Sequence, residues 1–356
     1  MIGRDKVVLF GSFGGWNSGD EAILESVERL LGWSVSSSDV ELKERSAVIC
    51  FRMRPGFAQI YQKRRRQVVY ARELWKIAGL LRTRQLIIGG GQIITGDRSY
   101  KGLLFLLLLT TLARLLGRPA VMVGIGVEGV HRKLAKWLCR CIVANVSVLN
   151  CRDAYSQKML LDAGCSEHRL RLMADVVLSG VIARDTNKGL FQRPTIAIGL
   201  HHANRRKYAT GDDFVLLSET LVNTFPEYEV VFVSNDCRDG FDEELLRQLR
   251  GRIQHDRIRF QSFDTVENVV SAYASAKCVI SVRMHPLILG LIHSVPVVGV
   301  GRSNKVKQLA DRVGFELIDP REEDVDAWLT RVRAAIEASA PDIKEIQEMA
   351  YGQFQF

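Results

Sequence analysis

No apolar run in the sequence is long enough to span a bilayer: the longest, GLLFLLLLTTLARLLG at 102–117, falls short and carries Arg114. It is expected to form a helix buried against a sheet, with contact along a membrane surface as the alternative reading. No window is dominated by Gly and Ser, by Pro or by Gln, and 47% of the residues are hydrophobic against 25% charged, which excludes a disordered tail or low-complexity linker. The opening MIGRDKVVLFGSFGG runs straight into a strand without the organisation of a signal peptide. Cysteines are few: seven, at 50, 139, 141, 151, 165, 237 and 278, scattered and odd in number. That pattern reads as reduced core thiols of a cytoplasmic protein, not as a disulfide framework. Cys139 and Cys141 stand too close together, and too far from other ligands, for a zinc site. No metal site is expected anywhere.

Acidic residues are outnumbered, 40 Asp and Glu against 49 Lys and Arg, giving a net charge of +9 and an affinity for anionic partners. No nucleic-acid motif accompanies that charge, so nucleic acid is not expected as a partner. The densest basic cluster, Lys63-Arg64-Arg65-Arg66, lies among Phe57, Tyr61, Tyr70 and Trp75. Such a mixture suits peripheral contact with an anionic lipid surface at the inner membrane face, and a solvated basic face is the alternative.

What is present is an alternation of short β-branched runs, glycine or polar turns and helical stretches, the signature of parallel sheets. Strands are expected at 6–13, 47–51, 85–91, 120–127 and 146–152, with helices at 20–32, 71–83, 102–116, 131–144 and 154–163. The cycle restarts at TIAIGL (195–200) and continues through strands at 228–234, 258–263, 277–283 and 295–301. The α/β chain therefore reads as two doubly wound Rossmann-like domains, 1–180 and 195–320, joined by an aperiodic linker at 181–194 and followed by a helical segment at 321–356. Ligands of such sheets lie beyond the carboxyl ends of the strands, and paired domains make an interdomain cleft the default site.

After the first strand, GSFGGWNSGDEAIL supplies turn glycines, with Asn17 to Asp20 able to cap a helix. Its spacing matches neither a Walker loop nor GxGxxG, which disfavours a nucleotide. Asp20 and Glu21 are candidates for a polar ligand, or else carboxylates that complement a helix dipole. Gly90 and Gly91, followed by Asp97 and Arg98, form a shelf after the third strand, and Glu128 follows the fourth. Arg152 and Asp153 end the fifth, where an internal ion pair is the alternative to an anionic ligand. In the second domain His201, His202, Asn204, Arg205, Arg206 and Lys207 make a cationic loop. The strand KCVISV ends at Arg283-Met284-His285, with Pro286 fitting the first position of a helix. A guanidinium beside free helix amides binds a carboxylate or phosphate, and a bound dianion favours the protonated imidazole as a general acid; a buried structural histidine is the alternative.

These residues carry a resemblance to the polysaccharide pyruvyl transferase family, through GGWNSGDEAIL (14–24), GGGQIITGD (89–97), GIGVEG (124–129), CRDAYSQKMLLDAG (151–164), MADVVL (173–178) and ISVRMHPLILGLIHSVPVVGV (280–300), with Asn304-Lys305 following. The resemblance implies a GT-B-like arrangement, with the C-terminal helical segment returning towards the first domain. It also implies transfer of the enolpyruvyl group of phosphoenolpyruvate to two hydroxyls of a surface or exopolysaccharide sugar, lipid-linked, with release of phosphate and no cofactor. On that basis His285, Arg283 and Asp20 are the catalytic candidates. Arg152, Arg205, Arg283, Met284, His285 and Lys305 would hold the donor. Asn17, Asp20, Glu21, Gly90, Gly91, Asp97 and Glu128 would hold the saccharide acceptor. The alternatives are a GT-B glycosyltransferase using a nucleotide sugar and a catalytically silent polysaccharide-biosynthesis binding protein.

Overall fold

In the computed structural model, the described residues are 6–15, 17–32, 46–51, 53, 61, 66–97, 99–186, 189–201, 211–236, 241–262, 265–301, 303–319 and 324–354. The chain divides into two compact units. The first comprises Met1–Gly15, Asp20–Val181 and Glu345–Phe356, the second Trp16–Gly19 and Ile182–Lys344.

The first unit is built on seven parallel strands: β1 (Val7–Phe10), β2 (Ser46–Cys50), β3 (Gln67–Tyr70), β4 (Gln85–Thr95), β5 (Ala120–Glu128), β6 (Val146–Cys151) and β7 (Leu170–Leu172). Their order in the sheet is β3-β2-β1-β4-β5-β6-β7. The run VVLF is buried at every position of β1, as a parallel strand covered on both faces requires. Among the described residues five helices alternate with these strands: α1 (Ser18–Leu30), α2 (Leu74–Leu81), α3 (Tyr100–Leu115), α4 (Lys133–Asn145) and α5 (Ala154–Asp162). The second unit orders β8 (Thr195–Gly199), β9 (Glu229–Val233), β10 (Ile258–Gln261), β11 (Cys278–Ser281), β12 (Val297–Val300) and β13 (Glu316–Ile318) as β10-β9-β8-β11-β12-β13. Its helices are α6 (Gly211–Thr224), α7 (Asp242–Arg252), α8 (Val266–Ala274), α9 (Met284–Leu291), α10 (Asn304–Val313) and α11 (Val325–Glu337). Each sheet reverses its winding once, between β1 and β4 and between β8 and β11, and a ligand crevice is expected at such switch points.

Three strands escape the periodic reading: β3, β7 and β13. All are short edge strands, and QVVY, LRL and ELI bury only part of their residues, so their apolar signal is weak. The tail also divides differently. Residues 321–356 were expected as one helical segment, whereas α11 belongs to the second unit and α12 (Lys344–Gly352) falls almost wholly in the first. Gln353 fastens that tail: its Oε1 accepts from the Gly124 amide at 2.7 Å and its Nε2 donates to the Ala174 carbonyl at 2.8 Å. Among the described residues no helix is long and apolar enough to cross a membrane.

Cys50, Cys139, Cys151, Cys165 and Cys278 are free and buried, and Cys141 is partly exposed; Cys237 lies outside the described residues. Burial pushes the thiols of Cys50, Cys139, Cys151 and Cys278 up to about 12. These four are expected to stay unmodified by an aromatic disulfide reagent at neutral pH and to react once the chain is unfolded, as mass spectrometry of the labelled peptides would show.

Candidate functional site

Beside the switch point of the second sheet, the helix after β11 begins earlier than the sequence suggested. Arg283 occupies its N-cap position and Met284 its first turn, so Pro286 is the third residue and not the first. Proline is tolerated there because the first amides of a helix have no intrahelical acceptor. His285 thereby falls within the first turn of α9. α9 is otherwise apolar and buried, Met284 included, so Met284 packs into the unit and does not offer a donor contact.

His285 lies against Gly19. A Cβ added at Gly19 would come within 2.1 Å of His285 Nδ1, so only glycine fits opposite the imidazole. The segment carrying Gly19 is fixed to the end of β9. The Ser18 amide donates to the Asn235 carbonyl at 2.8 Å, Asn17 bridges to Asp236, and the Gly19 amide donates to Asn17 Oδ1 at 3.0 Å. Asn235 is held in turn by Tyr273, whose hydroxyl donates to Asn235 Oδ1 at 2.8 Å, and by Asp242 Oδ2, which accepts its amide at 3.1 Å. Burial pushes the Tyr273 hydroxyl well above its ordinary range. It therefore stays neutral and serves as a donor. Two motifs more than two hundred residues apart, NSG at 17–19 and RMH at 283–285, are thus brought together in one unit.

Arg283 departs from its expected role. Its Nη2 pairs with Asp242 Oδ1 at 2.7 Å and stands 3.7 Å from Asp236 Oδ2, and its Nε donates to the Leu200 carbonyl at 2.9 Å. Both carboxylates are fully buried. Two desolvated anions need a cation, and the guanidinium supplies it. Nη1 bonds to no acceptor among the described residues, and the side chain is 13% exposed. Asn235, Asp236, Asp242 and Tyr273 were all missed in the sequence, although VSND follows β9 at the place where a switch-point sheet carries its ligands. Lys305 lies, half-buried, in the first turn of α10, and His201 follows β8 directly. Arg205 lies outside the described residues, as do His202, Asn204, Arg206 and Lys207.

In the first unit Arg152 is likewise internally paired. Its Nε donates to Asp153 Oδ2 at 3.1 Å, its Nη1 stands 3.9 Å from Asp175 Oδ2, and its side chain is 4% exposed. The guanidinium rests on Gly126, where a Cβ would meet Arg152 Cζ at 2.6 Å. Asp175, from the MADVVL segment, is the partner the sequence did not reveal.

Among the acceptor candidates, Glu21 is buried, accepting from the Gly14 amide at 2.7 Å and from Tyr61 Oη at 2.8 Å. Burial raises its carboxyl above the ordinary range, against the opposing charge of Arg66. Glu21 is thus a structural anchor of the loop before α1, which corrects its assignment as a saccharide contact. Arg66, expected on a lipid-facing surface, is buried and forms a two-pronged pair with Glu28 at 2.9 and 2.6 Å, its guanidinium 4.8 Å over the Tyr61 ring. Lys63, Arg64, Arg65 and Phe57 lie outside the described residues. The glycine shelf is partly filled: a Cβ at Gly90 would strike Ile23 at 2.6 Å, while Gly91, with a φ of 76°, faces Asp20 Oδ1. Asp97 and Glu128 are exposed, Asp97 lying against Gly129 and Glu128 accepting from Gln92. Tyr155 borders them, its hydroxyl raised by burial and by Glu128, Asp153 and Asp97. Arg98 is outside the described residues. Among the described residues no three His, Cys, Asp or Glu side chains are grouped to hold a metal ion.

The polysaccharide pyruvyl transferase profile matches residues 17–304. The chain belongs to that family. The match opens at Asn17 and so takes in both halves of the Gly19–His285 contact. No curated protein matches this pyruvyl transferase family member by sequence. Its fold is similar to that of Anabaena HepE, solved in complex with UDP and glucose, at a TM-score of 0.57 and 14% identity over 98% of this chain and 95% of the other. It is similar as well to UDP-GlcNAc 2-epimerase from Methanocaldococcus jannaschii, at a TM-score of 0.64 and 11% identity over 94% and 93%. Both likenesses establish two Rossmann-like domains, the fold class of GT-B-type enzymes.

The close fit of Gly19 to His285 makes a prediction for this family member. Gly19→Ala is expected to destabilise the wild type by about 1–3 kcal/mol in urea unfolding, because the methyl group must displace the imidazole. The same change in a His285→Ala background should cost less, since the ring is gone and only the Cβ at 2.9 Å remains in the way.

Proposed function

We propose that the protein is a phosphoenolpyruvate-dependent ketal pyruvyl transferase acting on a lipid-linked saccharide precursor of a surface or exopolysaccharide, as a cytoplasmic protein at the inner membrane face. The observation that carries this reading is the joining of His285 to the 17–19 segment inside a chain of the pyruvyl transferase family. His285 stands at the amino end of α9, where free amides and the helix dipole favour an anion. Lys305, at the amino end of α10, adds a second positive site on the same sheet edge.

In this scheme protonated His285 delivers a proton to the methylene carbon of phosphoenolpyruvate, turning it into a methyl group and leaving an oxocarbenium-like centre at the adjoining carbon. A sugar hydroxyl adds to that centre and gives up its proton to solvent. Phosphate then departs with its bonding pair, and the second hydroxyl closes the ring to give the ketal. Of the two hydroxyl protons released, one balances the proton given by His285 and the other leaves with phosphate, so phosphoenolpyruvate and a diol give a ketal and inorganic phosphate with no redox change. Arg283 acts as a positioning residue whose Nη1 is directed to the donor. Asp97, Glu128 and Gly91 form the acceptor edge of that unit.

The nucleotide-sugar reading draws its support from the UDP-bound structures of similar fold. Thermal shifts separate the two: phosphoenolpyruvate is expected to raise the melting temperature and UDP to leave it unchanged. With a competent lipid-linked or synthetic hexoside, His285→Ala is expected to lower phosphate release by about 10²–10⁴-fold while keeping its melting temperature near that of the wild type. Full activity in the variant, or stabilisation by UDP alone, would contradict the assignment.

A further inference from the structure

Among the described residues the first unit leaves a broad apolar surface exposed. Successive crossovers from β3 to β4, β4 to β5 and β5 to β6 move in one direction across the sheet, so the right-handed rule places α2, α3 and α4 on the same face. These helices pack side by side: Asn145 Nδ2 donates to Thr111 Oγ1 at 2.8 Å, and Arg114 donates to the Ala144 carbonyl. The inward stripe of α3, with Leu103, Leu106, Leu109 and Ala113, is buried as the sequence foresaw. The outward stripe is also apolar. Leu104, Leu108 and Leu115 share one helical face, and Leu115 is 79% exposed. α4 adds Trp137 at 48% and α2 adds Trp75 at 75%. A soluble surface seldom leaves two tryptophans and a leucine stripe open together.

Charge decides what fits this surface. From 98 to 152 the chain carries nine Lys and Arg and a single acid, Glu128, which sits at the carboxyl end of β5 and not on either helix. On α3 and α4, exposed Lys101, Arg114, Arg132, Lys133 and Arg140 therefore flank the apolar stripe with no carboxylate on either helix, and at the start of α2 Glu73 is paired with Lys76. A second copy of this chain would bring the same cations against each other, whereas anionic phospholipid headgroups would neutralise them while the leucines and tryptophans enter the acyl boundary. α3, with 16 residues, is too short to cross a bilayer and suited to lying in its plane.

We infer that the α2–α4 face is a monotopic docking surface for an anionic phospholipid bilayer. This deepens the lipid-linked reading of the acceptor, and its test needs neither donor nor acceptor. Full-length protein is sedimented with vesicles of phosphatidylcholine alone, or of equal parts phosphatidylcholine and phosphatidylglycerol, and its tryptophan emission is recorded with acyl-brominated lipid. The wild type is expected to pellet with the anionic vesicles and to be quenched. The combined variant Leu104→Ser, Leu108→Ser, Trp137→Ser is expected to lose at least about tenfold in vesicle affinity. It should keep the wild-type melting temperature and unchanged phosphate release on a soluble acceptor. The double variant Trp75→Phe, Trp137→Phe should still bind and lose most of the quenching. Binding that survives the triple variant and shows no quenching would overturn the proposal, because the contact would then be electrostatic and made elsewhere. A concentration-dependent dimer that the triple variant abolishes, without vesicle binding by the wild type, would overturn it in favour of a protein interface.

Discussion

The buried pair between Arg283 and the carboxylates of Asp242 and Asp236 is the interaction on which the site's geometry rests. It ties the end of β11 to the end of β8 through the Leu200 carbonyl and to the amino end of α7 through Asp242. Asp242 in turn accepts the Asn235 amide, and Asn235 holds Ser18 and therefore Gly19 against His285. Removing the cation from this arrangement would leave two fully buried carboxylates without the guanidinium that pairs with them. The guanidinium is better understood as the keystone of a frame than as an open hand for substrate.

That conclusion redistributes the chemistry. Two arginines that the sequence offered as donor ligands are each balanced by carboxylates, Arg283 by Asp242 and Asp236, Arg152 by Asp153 and Asp175. An incoming dianion would find their charge already offset. On the reading proposed above, attraction comes chiefly from the amino ends of α9 and α10 and from Lys305, with Arg283 contributing the hydrogen-bond donor it has left. The polar groups of this frame are held in place before any ligand arrives.

Much of this was legible in the residue order. The alternation of β-branched runs and helical stretches disclosed ten of the strands, since interior parallel strands such as VVLF are apolar throughout. The residues after β6 and β11 were found for the same reason: buried strands that end in arginine demand an explanation. What remained hidden was pairing. A sequence shows that Arg283 is costly to bury, but not that Asp242, 41 residues earlier, neutralises it. Glu21 was misread because the burial that makes it structural comes from Tyr61, 40 residues away. Arg66 looked like surface charge because Glu28 lies in another element of the unit.

The outer surface of α3 and α4 shows the converse, a feature that local composition carries and packing leaves uncovered. Leucines at helical spacing were assigned to the core, and half of that assignment holds; the remaining stripe faces outward. The central claim, that Arg283 is first a structural cation, is tested most directly by the urea unfolding of Arg283→Ala beside its phosphoenolpyruvate dependence. A loss of about 3–5 kcal/mol in stability is predicted, as for one partner removed from a buried ion pair. Wild-type stability together with a raised KM for phosphoenolpyruvate alone would contradict it.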